Sequence, residues 1–114
     1  MKIKVNKLIP FKGYLAINLF GILFIRKENA GKIDRIVINH EEIHTEQMKE
    51  MLYIFFYIWY FIEWLIKLFI HFNNKSAYRN ISFEQEAFYN ENTINYIQKR
   101  KPYAWLKYVI KTWK

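Results

Sequence analysis

Two short segments near the start of the chain have the alternation and composition of β-strands. In residues 2–9, the apolar Ile3 and Val5 alternate with lysines. Residues 14–26 are rich in β-branched and aromatic side chains, and Gly21 marks a bulge or bend between two runs of them. The pattern predicts short strands at the N-terminal end of the chain.

A single long helix is predicted over residues 34–71, because neither glycine nor proline interrupts them and Asp34 is a favourable N-cap. Residues 51–70 are the most apolar stretch of the chain and are long enough to suggest a membrane span. Glu63 and Lys67 interrupt that stretch at i,i+4 spacing, where they can pair on the helix surface. A polar stripe follows the helix at mostly three- and four-residue spacing, formed by Glu46, Glu50, Tyr53, Tyr57, Tyr60, Lys67 and His71. We therefore expect a buried or membrane-surface helix rather than a span.

Two shorter helices are predicted in the rest of the chain. Ser82 is a suitable N-cap for a helix over residues 83–97, and Pro102 fits the first turn of an amphipathic helix over residues 103–113. At 114 residues the chain is long enough for one core but not for two. We predict a single α+β domain over residues 1–114, with small N-terminal antiparallel strands packed on the long helix, a glutamate-bearing helix and a short C-terminal helix.

The candidate chemistry is concentrated in residues 40–44, which read His-Glu-Glu-Ile-His, an H-E-x-x-H motif in the first turns of the long helix. His40 and His44 lie on one face of a helix, so both imidazoles can reach the same ion. Glu41 projects beside that pair, where it can take a proton from a metal-activated water instead of binding the metal. The same motif occurs on ordinary charged helix faces, so its meaning depends on a third ligand.

The third ligand is expected to be a carboxylate. The chain has no cysteine, which excludes thiolate sites. The remaining histidine, His71, lies about 27 residues further along the predicted helix, or roughly 40 Å away. The longer metzincin motif is absent, because Gln47 and Glu50 stand where it needs glycine and histidine. Glu84 and Glu86 on the next helix remain as candidates.

An H-E-x-x-H motif followed on a later helix by E-x-x-(Ala/Ser) resembles the pattern of gluzincin metallopeptidases, and the resemblance covers roughly residues 14–91. It implies a zinc-dependent hydrolase that cleaves peptide bonds, with Zn²⁺ as cofactor and a peptide or protein as substrate. It also implies that Glu84 is the third zinc ligand, since Ala87 is the small residue that lets the two helices approach.

One position departs from this family. Phe88 stands where gluzincins commonly carry Asp or Asn to orient a histidine. If Glu86 were the ligand, Asn90 would occupy that polar position, but Tyr89 would replace the small residue. Residues i and i+2 point to different sides of a helix, so only one glutamate is expected to bind, and Glu84 is preferred.

Three further residues are candidates for supporting roles. Gln47 lies one turn beyond His44 and can hold a ligand or the Glu84 region by a hydrogen bond. Tyr78 and Arg79, just before the glutamate helix, are candidates to stabilise an oxyanion, with packing or surface roles as the alternative. Minimal gluzincins can be inactive until a covering segment moves, and the basic C-terminal helix is a candidate for such a lid.

The net charge of +8 is unevenly placed, because no acid precedes Glu28 and none follows Glu91. Basic ends around a more acidic middle predict attraction to an anionic surface.

The aromatic residues lie in apolar runs rather than among lysines and arginines, so nucleic-acid binding is not expected. We recognise no export signal and expect a cytoplasmic protein with peripheral membrane contact.

Two functions of different classes are compatible with these residues. The first is a zinc metallopeptidase in which Glu41 is the general base and the strand near residues 19–25 aligns an extended peptide by backbone pairing. The alternative is a non-enzymatic membrane-surface or partner-binding module, in which the metal site is structural or vestigial.

Overall fold

The N-terminal part of the chain forms a small three-stranded sheet. In the computed structural model, which describes residues 1–111, the strands are β1 (Lys2–Asn6), β2 (Ala16–Leu19) and β3 (Ile22–Arg26). Their order is β1-β3-β2, with β2 antiparallel and β1 parallel to β3. The predicted α+β class is confirmed, but the sheet is mixed rather than antiparallel throughout.

The hairpin between β2 and β3 explains this arrangement. Leu19 pairs with Ile22, which leaves Phe20 and Gly21 as a two-residue turn. Both turn residues have positive φ, 55° and 91°, as the tight hairpin turns that match strand twist require. The tight turn places β3 directly beside β2, and β1 pairs with the other side of β3. Gly21, expected at a bulge or bend, lies in this turn.

The predicted single helix over residues 34–71 is wrong. The chain forms α1 (Arg35–Glu50) and α2 (Ile54–His71), and the break between them has no glycine or proline. Leu52 and Tyr53 adopt positive φ of 52° and 61° instead. Such a conformation costs about 1–2 kcal/mol for each side-chain-bearing residue, so packing of α2 against the rest of the protein must offset it.

The remaining helices are short, and the first of them lies where no helix is predicted. They are α3 (Asn74–Arg79), α4 (Ser82–Asn90) and α5 (Tyr96–Lys99), with 3-10 turns at Lys27–Lys32 and Ala104–Tyr108. The predicted helix over 83–97 is therefore interrupted between α4 and α5. The predicted C-terminal helix over 103–113 is a short 3-10 turn, and its last two positions lie outside the described residues.

One aromatic core joins α1, α2, α4 and the C-terminal turn. It contains Met48, Phe56, Ile81, Phe83 and Trp105, all 3% exposed or less. The rings of Phe56 and Phe83 stack with centroids 4.5 Å apart, and Trp105 lies 4.7 Å from Phe83. Burial of these large side chains is the main favourable term that holds α2 folded back on α1.

The two charged residues of the apolar helix do not pair on its surface as predicted, because both turn inward. Glu63 is 6% exposed and Lys67 is 8% exposed. The Glu63 carboxylate accepts hydrogen bonds from the Ser82 backbone N–H at 2.9 Å and from its hydroxyl at 2.6 Å. Glu63 thus caps α4 from outside, and Ser82, predicted as the N-cap, is the first helical residue.

Replacing Glu63 by alanine should therefore destabilise the fold. Glu63→Ala leaves the buried donors of Ser82 without their acceptor, and we expect the free energy of unfolding to fall by about 2–3 kcal/mol in urea titrations. Glu46→Ala is the matched control, since Glu46 pairs with Lys49 on an exposed helix surface. That control should lose less than about 1 kcal/mol, and equal losses would contradict the capping role.

Candidate metal centre

The first turns of α1 bring the two histidines of the motif to one point. Nε2 of His40 lies 3.2 Å from Nε2 of His44, and Oε1 of Glu84 lies 3.1 Å from each nitrogen. All three side chains are buried, between 4% and 7% exposed. The structure thus brings together the two motif histidines and the preferred glutamate, and among the described residues this is the cluster with metal-ligand geometry.

The hydrogen bonds on the other ring nitrogens fix how the histidines are protonated. Nδ1 of His40 lies 2.7 Å from the carboxylate Oε1 of Glu91, and Nδ1 of His44 lies 2.8 Å from the amide Oε1 of Gln47. Both partners are acceptors, so each Nδ1 carries a proton. The lone pair of each Nε2 is then directed at the other nitrogen and at Glu84, an arrangement that is repulsive without a cation.

The donor set fits zinc. Catalytic zinc sites combine histidine nitrogen with carboxylate oxygen at about 2.0–2.2 Å, which places neighbouring donors of a tetrahedron roughly 3.3 Å apart. The separations of 3.1 and 3.2 Å among these three atoms are close to that value. His40, His44 and Glu84 would hold the ion, and Glu91 and Gln47 would orient the two imidazoles.

The electrostatics of the cluster also require a positive charge. Burial lowers the pKa of His44, but the negative charge and hydrogen bond of Glu84 outweigh burial and raise that pKa to about 10. Burial would raise the pKa of the Glu84 carboxyl, yet the charge of His44 and the close contacts with both histidines hold it below its usual range. A proton meets this requirement, and a metal ion that binds here must displace it.

The second oxygen of Glu84 is held by a tyrosine. Oη of Tyr60 donates to Oε2 of Glu84 at 2.7 Å. Burial, together with the nearby Glu84 charge, raises the pKa of Tyr60 well above its ordinary value, so this hydroxyl stays protonated. Tyr60 reaches the site only because α2 folds back, since in a straight helix it would lie about 30 Å from His40.

Glu86, the alternative third ligand, lies in a different buried network. It is fully buried and pairs with Arg100, whose Nε is 2.6 Å from Oε2. Tyr96 donates to the same oxygen at 2.8 Å, and Gln47 donates to Oε1 at 2.9 Å. Glu86 is therefore saturated with donors and anchors the C-terminal segment. Gln47 connects that network to His44.

Glu41 lies on the wall of a cleft beside the cluster. The cleft has a volume of about 730 Å³ and is shared by Glu41, His44, Glu84 and aromatic residues of α2. Burial raises the pKa of Glu41, although the positive charges of His44 and His40 oppose the shift. Glu41 is thus a carboxylate next to the cluster without belonging to it, as the motif predicts for a general base.

The strand along the cleft is β2, not the segment near residues 19–25. β3 is paired on both sides, so it has no free edge to offer a peptide. Ala16, Ile17 and Asn18 of β2 line the cleft. β2 is an edge strand of the sheet. The backbone oxygen of Asn18 on this strand accepts a hydrogen bond from Oη of Tyr57 at 3.1 Å.

Two of the predicted supporting residues differ in position. Tyr78 lines the cleft, and burial and the Glu84 charge raise the pKa of its hydroxyl. Arg79 is not among the residues that line the cleft. Its guanidinium lies over the ring of Phe88, 4.5 Å from the ring centroid. An oxyanion role thus remains a prediction for Tyr78 alone.

The C-terminal turn is a core element and not a lid. Trp105 and Tyr108 are buried, and Arg100 makes a double contact with Glu50 at 2.8 and 2.9 Å. Within the described part of the chain, none of residues 96–111 lines the cleft. The segment contributes Trp105 to the aromatic core, and Val109 packs against that core.

Sequence reasoning missed three contributors to the site. Glu91 lies seven residues after Glu84, two helical turns on, which places both on one helix face. Nδ2 of Asn39, the residue before the motif, donates to the backbone oxygen of Glu91 at 2.8 Å and so holds it beside His40. Tyr60 belongs to the polar stripe of α2, and only the chain reversal reveals its role.

Comparisons of the chain with protein-family profiles, with curated proteins and with solved structures find no significant match. The gluzincin assignment therefore stays a prediction that depends on the residues and on the geometry of this site.

Substitution of each glutamate in turn should show which of the two, Glu84 or Glu86, binds zinc. Glu84→Ala is expected to weaken zinc binding as much as His44→Ala, by more than the roughly 10–100-fold typical of residues that only orient a ligand. Competition titrations with a chromophoric chelator measure this loss. Glu86→Gln, which keeps the shape of the side chain and one acceptor oxygen for Arg100, serves as the control and should change zinc affinity much less. The reverse order would move the third ligand to Glu86.

The contact of Glu91 with His40 predicts a smaller loss. Glu91→Ala leaves the ligand set complete but frees the His40 ring to rotate and to change tautomer, so zinc affinity should fall by about 10–100-fold. Glu42→Ala is the control, because it removes the same charge from the exposed side of α1. Unchanged affinity in Glu91→Ala would show that the 2.7 Å contact does not orient a ligand.

Proposed function

We propose that this protein is a gluzincin-like zinc metallopeptidase. The observation that carries the proposal is the buried triangle of His40 Nε2, His44 Nε2 and Glu84 Oε1, with separations of 3.1 and 3.2 Å. Two of its members, His44 and Glu84, line a cleft that Glu41 also lines. Each donor is oriented by a further side chain, which is typical of functional metal sites.

The residues have separable roles in such a reaction. His40, His44 and Glu84 would hold a zinc ion, which would supply Lewis-acid polarisation of the scissile carbonyl and acidify the attacking water. Glu41 would accept a proton from the attacking water and return it to the nitrogen of the leaving amine.

The cleft also has parts suited to hold a substrate. The outer edge of β2 can pair with an extended peptide through backbone hydrogen bonds, except at the Asn18 oxygen, which is bonded to Tyr57. The hydroxyl of Tyr78, which is protonated at neutral pH, is a donor for an oxyanion. Aromatic side chains of α2, including Phe56 and Tyr57, give the cleft an apolar floor.

Substitution of Glu41 by glutamine should distinguish zinc binding from catalysis of peptide hydrolysis. Glu41→Gln keeps the shape of the side chain but cannot accept a proton at neutral pH, so it should retain about one zinc per chain and lose about 10²–10⁴-fold in turnover of a peptide or unfolded-protein substrate. The zinc content of each variant is measured by elemental analysis. Its turnover is compared with that of the zinc-loaded wild type.

Glu42→Gln is the matched control, because the neighbouring glutamate undergoes the same change outside the cleft lining. Full activity of Glu41→Gln would contradict its role as general base. Bound zinc without activity of the wild type on any peptide library would instead favour the non-enzymatic module with a structural metal site.

A further inference from the structure

The outward face of α2 has no charged side chain between residues 54 and 70. The two charged residues of this stretch, Glu63 and Lys67, are buried and bonded to protein groups. The outward face instead carries large apolar side chains at three- and four-residue spacing, each between 49% and 74% exposed: Phe55, Ile58, Phe61, Ile62, Ile66 and Phe69. Soluble proteins rarely expose a continuous apolar surface of this size.

The polarity of α2 is thus opposite to that of a helix on the surface of a soluble domain. Charged residues that point into the protein while apolar residues point outward are typical of helices in contact with lipid. With 18 residues, α2 is also long and apolar enough to cross a membrane by length and composition. Its length is about 27 Å.

The inward side of α2 argues against a span. Tyr57 Oη accepts from the backbone N–H of Phe20 at 3.0 Å, and Tyr60 donates to Glu84. Lys67 donates to the backbone oxygen of Val109 at 3.2 Å. One side of α2 is therefore covered along its length by elements that carry polar groups, which suits a helix lying in the plane of a membrane surface.

Exposed cations lie on the segment that packs beside α2. Residues 104–111 contact the helix through Lys67 and through the rings of Trp59 and Trp105, whose centroids are 5.1 Å apart. This segment exposes Lys107 and Lys111 together with apolar Leu106 and Ile110, the last 93% exposed. Lysines next to apolar side chains complement anionic headgroups above a hydrocarbon layer.

We propose that the outward face of α2 docks in the plane of an anionic lipid bilayer, with Leu106 and Ile110 inserted beside it and Lys107 and Lys111 at the headgroups. A second copy of the chain is disfavoured as the occupant, because each copy has a net charge of +8 and the two would repel. The proposal does not depend on peptidase activity. Phe61 lines the cleft as well as this face, so docking places the opening of the cleft at the bilayer.

Vesicle flotation of the full chain tests the proposal. Wild type should float with vesicles of phosphatidylcholine and phosphatidylglycerol, more weakly with pure phosphatidylcholine, and should be released by alkaline carbonate. Phe69→Glu should bind the mixed vesicles about 10- to 100-fold more weakly, since one large apolar side chain no longer inserts. Phe69 is 74% exposed, so this variant should keep the wild-type circular dichroism and unfolding midpoint.

Ile94→Glu is the matched control, because Ile94 is 71% exposed outside α2 and receives the same charge. It should float like wild type. Equal flotation of Phe69→Glu and wild type would overturn the proposal. Retention of wild type in carbonate-washed membranes would replace in-plane docking by a span. A lipid-free dimer that Phe69→Glu dissociates would show that a second copy covers the face.

Discussion

Two imidazole nitrogens, Nε2 of His40 and of His44, face each other at 3.2 Å with a carboxylate oxygen of Glu84 equally close to both. Neutral nitrogens in that arrangement repel, so a positive charge must lie among them. The rest of the site follows from this requirement: Gln47 and Glu91 hold the rings with their lone pairs turned inward, and burial keeps water from screening the group.

Packing, rather than local preference, sets the path of the chain around that point. Leu52 and Tyr53 take positive φ although neither residue favours it, and no glycine or proline marks the reversal. The prediction of one continuous helix failed here because sequence patterns report local preference. The aromatic core around Phe56 and Phe83 forms only after the chain has folded back, so its contribution cannot be read from the residues at the break.

Most of the candidate ligand set could be predicted, because it depends on spacing within helices. The four-residue spacing from His40 to His44 follows from helix geometry, and the choice of Glu84 follows from the resemblance to gluzincins. The departure at Phe88 also has a physical explanation. Its ring packs edge-on against His40 with centroids 4.7 Å apart, and Glu91, one turn later, makes the hydrogen bond expected of a polar residue at position 88.

The amide of Gln47 limits which sequences can maintain this site. Its oxygen accepts from His44, while its nitrogen donates to Glu86 and to the backbone of Phe83. Glutamate at this position would place one carboxylate against another, and asparagine would be a methylene too short to reach both sides. Distant relatives with the same architecture should therefore be recognisable by H-E-x-x-H-x-x-Q followed by E-x-E-x-x-x-x-E, a longer and more selective signature than the five-residue motif alone.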